Sequence, residues 1–166
     1  MSSSIATFYL LRESARPEFE EAKRTEKTIT YERGFFRTKE VITGDRFLWE
    51  YLDEAAEEKL EFPHSGFVMI DYLFTFLEGA EPIQTDFAAA AIDANFYSIP
   101  GSMAERVTRF LEDNPPDDKA LESFAGQHGA QSPRHHAKLL RETHEMLMTW
   151  LRRVNGEKFG VLQLTF

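Results

Sequence analysis

PRHHAKLLRETHEMLMTWLRRVNGEKFGVLQLTF, residues 133–166, joins the longest helical pattern of the chain to a strand pattern. Ser132 followed by Pro133 is typical of a helix start, because the first helical residue needs no hydrogen-bonded N–H. The helical pattern covers residues 133–154 and ends at an Asn-Gly pair. The apolar residues of 158–166 then predict a strand. This stretch therefore predicts a fold that contains both helix and sheet.

The long helix has one apolar side, because its turn of 3.6 residues brings a set of side chains together. The set consists of Leu140, Thr143, Leu147, Leu151 and Val154. We predict that Leu140, Leu147, Leu151 and Trp150 are largely buried. His136 falls in the same sector and His144 lies on its flank, whereas His135 and Glu142 point towards solvent.

His144-Glu145 within THEMLM is the start of a zinc-hydrolase pattern, in which two histidines at i and i+4 hold the ion. The second position is Met148, whose thioether is a poor zinc ligand. His136 lies about 12 Å away along the helix axis, because each residue rises about 1.5 Å. The helix alone supplies no metal site, and we predict no metal and no other cofactor. Loop residues that could still complete a site with His144 are His64, His128 or an Asp.

The N-terminal half predicts a strand and two helices around a segment that is open to two interpretations. Residues 5–11, IATFYLL, are apolar and predict a strand rather than a signal peptide. Pro17 opens a short acidic helix that ends near Lys23. Residues 27–44, with a break at Gly34, form either two further strands or an ordered loop. From Asp45 an amphipathic helix follows, with an apolar side formed by Phe47, Leu48, Tyr51, Leu52 and Ala55 and a polar side formed by Asp53, Glu54, Glu57 and Glu58.

The middle of the chain is mostly helical in pattern. One helix ends at Gly79 and places on its apolar face Phe67, Ile70, Phe74 and Leu77. After a turn at residues 97–101, Ser102 and Glu105 form a capping box that opens a helix through Leu111. Asp117 caps a short helix to about Ala125, and a connector precedes Ser132. We predict one compact α+β domain over residues 1–166, with strands at both termini, a mostly helical middle and a long penultimate helix.

Composition limits the classes of partner. Lys and Arg number 19 against 28 Asp and Glu, so the net charge is −9. An acidic chain is a poor ligand for nucleic acid, because neutralisation of phosphates provides much of that affinity. No apolar run is long enough for a membrane helix, and the chain has no cysteine. We expect a cytoplasmic protein with no nucleic-acid or membrane partner, and a basic protein is the partner that best suits its charge.

The second half of the chain resembles the YfbM-like family of uncharacterised bacterial proteins. The resemblance is carried by MIDYLFTFLEGAEPI, NFYSIPGSMAERVTRFLEDN and HAKLLRETHEMLMTWLRRVNGEKFGVLQLTF, and it covers residues 66–166. That family has an Asp-led helix, an aromatic strand entering a helix, and a long helix leading to an apolar strand. Tyr72 stands where the family usually has Trp, and Glu78 where it usually has Thr. The resemblance implies a compact α+β domain and supplies no catalytic residues.

Two functional hypotheses remain open on the sequence. The first is a non-enzymatic acidic interaction module, such as an immunity protein that neutralises a toxin, because the chain is small and acidic and has no catalytic motif. The second is a hydrolase-type enzyme with a site around His144 and Glu145. A protein partner would favour the first hypothesis, and a cleft that contains His144 would favour the second.

Overall fold

A computed structural model describes residues 4–165 of the chain. In chain order its strands and helices are β1 (Ile5–Arg12), α1 (Arg16–Arg24), β2 (Thr28–Arg33), β3 (Thr38–Thr43), α2 (Leu48–Ala55), β4 (Glu58–Glu61), α3 (Gly66–Ile70), α4 (Ile83–Ala90), β5 (Phe96–Ile99), α5 (Gly101–Asp113), α6 (Asp118–Gln127), α7 (Pro133–Arg152) and β6 (Lys158–Thr165). A short 3-10 helix precedes α1, and a π-helix over Asp71–Phe76 continues α3. The predicted α+β class, the strands at the two ends of the chain (β1 and β6) and the long penultimate helix α7 are confirmed.

The main sheet has four antiparallel strands in the order β4-β1-β6-β5. Its centre is the pair β1–β6, which runs over eight residues on each strand, from Ile5 opposite Thr165 to Arg12 opposite Lys158. Two strands that are distant in the chain therefore form the middle of the sheet. The short strands β4 and β5 each complete one edge.

Helices cover both faces of this sheet, which explains why β1 and β6 are apolar almost without interruption. Successive side chains of a strand point to opposite faces. Phe8 and Leu10 pack into the larger core, which α3 to α7 complete. Tyr9 and Leu11 pack into a second core with Phe19 of α1 and residues of α2. A strand whose two faces are both buried needs apolar residues at nearly every position.

The long helix α7 lies against the first face of the sheet through aromatic packing. Trp150 stacks on Phe8 with ring centroids 5.6 Å apart. Gly160 of β6 leaves room for this arrangement, because a Cβ there would lie 2.3 Å from Cζ of Phe8. The four α7 residues predicted to be buried are all buried: Leu140, Leu147, Trp150 and Leu151. The helix ends at Arg152, two residues before the predicted end.

Three details of the sequence prediction are wrong. The helix α5 begins at Gly101, after the N-cap residue Pro100, so Ser102 lies inside the first turn and no side chain caps the helix. Glu57 and Glu58 do not belong to the polar side of a helix, because α2 ends at Ala55, Glu57 lies in the connection that follows it, and Glu58 begins β4. The face predicted to be apolar, with Phe67, Ile70, Phe74 and Leu77, is only partly buried and Phe67 is about half exposed, whereas the buried residues of this segment are Val68, Met69, Tyr72 and Leu73.

The residues that precede α6 and α7 are the N-cap residues that the sequence predicts. Asp117 is the N-cap of α6, and its carboxylate accepts a hydrogen bond from the N–H of Ala120 at 3.3 Å, as the sequence predicted. Ser132 is the N-cap residue of α7, although its hydroxyl makes no capping hydrogen bond. Among residues 4–165, no helix is both long and apolar enough to cross a lipid bilayer.

We expect Leu147→Ala to lower the free energy of unfolding by about 2–5 kcal/mol, because truncation of a fully buried leucine removes apolar contacts and leaves a cavity. Urea denaturation followed by circular dichroism measures the change. Glu145→Ala on the exposed side of the same helix is the matched control, and it should change stability by no more than about 0.5 kcal/mol. Equal effects of the two substitutions would contradict the packing of α7.

Candidate functional site

His144 is a buried residue of α7 that pairs with a phenol. Its Nδ1 lies 2.5 Å from Oη of Tyr72, which belongs to the π-helix beside α3. Burial lowers the pKa of His144, and the positive charge of Arg141 lowers it further. Burial also raises the pKa of Tyr72 well above its usual range. Both groups are therefore neutral near pH 7, and they share one hydrogen bond.

Glu145 is exposed whereas the preceding His144 is buried, and the negative charge of Glu145 partly opposes the lowering of the His144 pKa. The other histidines named in the sequence analysis are also used separately. His64 Nε2 lies 2.7 Å from a carboxylate oxygen of Glu142, so Glu142 is not directed only to solvent as predicted. His136 lies 3.6 Å from a carboxylate oxygen of Asp71, and Nδ1 of His128 lies 2.9 Å from the carbonyl oxygen of Phe124. The structure therefore brings none of them together with His144 and Glu145.

His64, His136 and His144 connect α7 to neighbouring segments, whereas His128 contacts its own helix α6. In the part of the chain that the structure describes, no group of three or more His, Asp or Glu side chains is placed to hold a metal ion. Neither His144 nor Glu145 lines any of four prominent clefts on the surface of residues 4–165. Of the two catalytic candidates, His144 is therefore packed in the interior and Glu145 is exposed to solvent.

The most unusual surface of the molecule is a hairpin, which we call the arm and define as residues 27–44. The arm contains β2 and β3, and every residue of the two strands is exposed except the half-buried Val41. Five of the eight exposed large apolar side chains among the described residues lie on it. Their exposed fractions are Phe35 97%, Phe36 92%, Tyr31 69%, Ile42 54% and Ile29 39%.

The register of the arm collects its apolar side chains on one face and at the tip. Ile29 lies opposite Ile42, and Tyr31 lies opposite Glu40 on the same face of the ribbon. At the tip, the N–H of Gly34 donates to the carbonyl oxygen of Arg37 at 2.9 Å. Phe35 and Phe36 occupy the positions between them, and their ring centroids are 5.3 Å apart. A pair of exposed phenyl rings therefore forms the end of the arm.

The base of the arm is fixed to the body of the protein. The N–H of Lys27 donates to the carbonyl of Arg46 at 2.8 Å, and the N–H of Asp45 donates to the carbonyl of Thr25 at 3.1 Å. Gly44 has a φ of +85°, and a Cβ there would lie 2.3 Å from the carbonyl oxygen of Glu26. Only glycine fits this position, so the two strands leave the body in a defined direction.

The charge of the arm is opposite to that of the whole chain. Residues 27–44 contain four basic side chains, Lys27, Arg33, Arg37 and Lys39, against two acidic ones, Glu32 and Glu40. Across the described residues, none of these six side chains has an ion-pair partner in the same chain. Because the chain as a whole carries −9, the body is more acidic than the total suggests.

An acidic cleft of about 460 Å³ lies beside the base of the arm. It is formed by α1, the start of α2 and the residues that flank the arm, and its lining is Pro17, Glu18, Glu21, Ala22, Thr25, Asp45, Arg46 and Tyr51. Glu21 pairs with Arg24 at 2.5 Å, and Arg46 pairs with Glu54 at 2.5 Å. Glu18 and Asp45 have no ion-pair partner among residues 4–165. Two uncompensated carboxylates therefore lie at this cleft.

The acidic run at Asp53–Glu61, in contrast, is largely neutralised within the chain. Glu57 pairs with Arg12, and Glu58 pairs with Arg153. These contacts lower the pKa of both glutamates. Asp53 accepts from Lys59 at 2.8 Å. The cleft beside the arm thus carries uncompensated acidic charge, whereas the acidic run that is conspicuous in the sequence does not.

Sequence reasoning left the arm undecided between strands and a loop. The usable signal was the pair of β-prone runs TITYER and TKEVIT on either side of a short segment that contains Gly34. Nothing in that pattern showed that the hairpin has no third strand, because burial by other parts of the chain is a property of the fold. The comparison with known proteins adds no assignment: no family model, curated protein or solved structure matches the chain.

We expect the stability of the protein to fall as the pH decreases below about 6.5, the usual pKa of histidine in an unfolded chain. The native pKa of His144 is lowered, so the unfolded state binds a proton more readily than the native state. The contribution of neutral His144 is complete above that pH and is lost below it. Denaturant unfolding at pH 7.5 and 5.5 should therefore show a larger loss for the wild type than for His144→Asn.

The matched control for this measurement is His135→Asn, which removes an exposed imidazole from the same helix. Other titrating groups are shared by the three proteins, so the comparison isolates His144. Identical losses for the wild type and His144→Asn would contradict the neutral, buried pair with Tyr72.

Proposed function

We propose that this protein is an interaction module whose binding element is the arm and whose partner is a protein. The observation that supports this most directly is the concentration of exposed apolar side chains on a ribbon of only two strands. A two-stranded hairpin is at best marginally stable in water without a third strand or a helix against it. A partner that covers the arm would supply the missing contacts.

The aromatic tip is the main source of affinity in this proposal. Complete burial of a phenylalanine side chain contributes roughly 1.5–3 kcal/mol, whereas an exposed ion pair contributes about 0–1 kcal/mol. Phe35 and Phe36 are almost completely exposed, so both can contribute fully on binding. The basic side chains around them then orient the arm and accelerate the encounter with an acidic surface.

A protein partner fits the charge of the molecule better than a nucleic acid does. Aromatic and basic side chains on a ribbon can also bind single-stranded nucleic acid. The body of this chain is strongly acidic, however, and would repel phosphates close to the arm. A cytoplasmic immunity protein that neutralises a toxin is one form that such a module can take. The YfbM-like resemblance stays a prediction and adds no partner.

The hydrolase hypothesis around His144 and Glu145 receives less support. A general base and its neighbours must reach the same reacting group, and these two side chains lie on different sides of α7. We therefore propose a non-enzymatic role and infer that the histidines serve packing.

Photocrosslinking tests the proposal at the residue that carries it. We expect a photoreactive phenylalanine analogue at position 36, in the full chain expressed in its own cells, to form a specific protein adduct on irradiation. The same analogue at position 119, which is exposed on α6, is the control and should form no such adduct. Mass spectrometry of the adduct identifies the partner.

The double variant Phe35→Ser/Phe36→Ser should abolish the interaction and leave the stability of the body within about 0.5 kcal/mol of the wild type, because exposed side chains contribute little to the core. Its thermal melt checks that the fold is intact. The proposal fails if position 36 yields no adduct, or if the partner binds the double variant as well as it binds the wild type.

A further inference from the structure

We propose that the arm binds a second copy of this chain, with the tip of each arm in the acidic cleft at the base of the other copy's arm. This inference rests on the proposed role of the arm as the binding element and names its partner. The dimer would have twofold symmetry, so every contact would occur twice. Four observations point to this partner.

The first is complementary charge between two surfaces of the same molecule. Arg33 and Arg37 flank the aromatic tip, and neither has an ion-pair partner among the residues that the structure describes. The cleft carries Glu18 and Asp45, which are likewise without an ion-pair partner in that part of the chain. Each surface supplies the charge that the other lacks, and opposite charges favour association over a wrong partner.

The second observation is that the tip of the arm cannot reach the acidic cleft of the same molecule. Each strand of the arm has six residues, so the tip lies about 20 Å from the base at the usual rise of a strand. The backbone hydrogen bonds of Lys27 and Asp45 hold that base in place. The tip and the cleft of one molecule are therefore too far apart to meet, and a contact between them must be made between two molecules.

The third observation is the place of the cleft beside the arm's base. When two straight arms lie side by side in opposite directions, the tip of one reaches the base of the other. A twofold axis between the arms produces this arrangement for both copies at once. The cleft lining includes Thr25, Asp45 and Arg46, which directly flank the ends of the arm. The cleft thus lies where the tip of the other copy's arm would end.

The fourth observation is the apolar part of the cleft. Pro17, Ala22 and Tyr51 contribute to its lining, and its volume is about 460 Å³. This combination of apolar and acidic lining matches a tip that has phenyl rings in its middle and guanidinium groups on its sides. In the same crossed arrangement, the apolar faces formed by Ile29, Tyr31 and Ile42 would lie close to each other. The dimer would cover the side chains that are most exposed in one copy.

Sedimentation velocity of the purified full chain measures the association directly. A single copy has a mass of 19.2 kDa, and we expect a species of twice that mass whose fraction rises with protein concentration. The fraction should fall at high salt, because screening weakens charge contacts at the surface. Phe35→Ser/Phe36→Ser should sediment as a single copy at every concentration.

A charge exchange identifies which surfaces meet. The arm variant Arg33→Glu/Arg37→Glu and the cleft variant Glu18→Lys/Asp45→Lys should each remain monomeric, because like charges oppose each other in both of their homodimers. An equimolar mixture should form the dimer again, since each arm then faces a cleft of opposite charge. Lys119→Glu, a charge reversal on α6 far from the arm in sequence, is the control and should leave the wild-type dimer intact.

The results separate this inference from the function on which it rests. A wild type that sediments only as a single copy overturns self-association, and so does a mixture of the two variants that fails to associate. If the adduct at position 36 is then an unrelated protein, the arm remains a binding element with a different partner. Binding of a monomeric chain to anionic vesicles or to single-stranded RNA through its tip would also overturn self-association. Absence of any arm contact would overturn both proposals.

Discussion

The pairing of β1 with β6 is the interaction on which the rest of the structure depends. Eight residues on each strand pair without interruption, and the other two strands of the sheet attach to this pair. Its two faces create two cores, one under α7 and the other under α1 and α2. The second core includes Tyr51 of α2, and α1 and α2 bring together the residues from which the arm leaves the body.

The elements that the sequence predicted well are those whose pattern reflects burial in a large core. The helix α7 is long and has a complete apolar side, so its extent and its buried residues follow from periodicity. The strands β1 and β6 are apolar on both faces and equally clear. The errors occur where local rules compete with tertiary packing. In the segment Gly66–Phe76, the side that packs into the larger core carries Val68, Met69, Tyr72 and Leu73 and not the half-exposed Phe67.

The candidate site shows why chemical motifs and functional surfaces differ in how well a sequence reveals them. His144-Glu145 resembles a motif, but the buried environment of Tyr72 gives the imidazole a structural partner. The arm contains no sequence motif, and what marks it as a candidate binding surface is the exposure of its apolar side chains. That property depends on all the other residues of the domain, so the pattern of residues 27–44 alone cannot supply it. Its aromatic and basic side chains became informative only with their exposure and with the neighbouring cleft.

The central pair of strands also constrains how the domain can fold. Residue 5 lies opposite residue 165, so the middle of the sheet requires contact between segments separated by nearly the whole chain. Contacts of high sequence separation carry a loop-closure cost that must be met before they stabilise the chain, and they slow folding. During synthesis, β1 leaves the ribosome long before β6 exists, and its apolar residues have no strand to pair with until residues 158–165 follow. Helices α5 and α6 each contact α7 within residues 101–152, so these contacts, unlike the central strand pair, do not require β1 to meet β6.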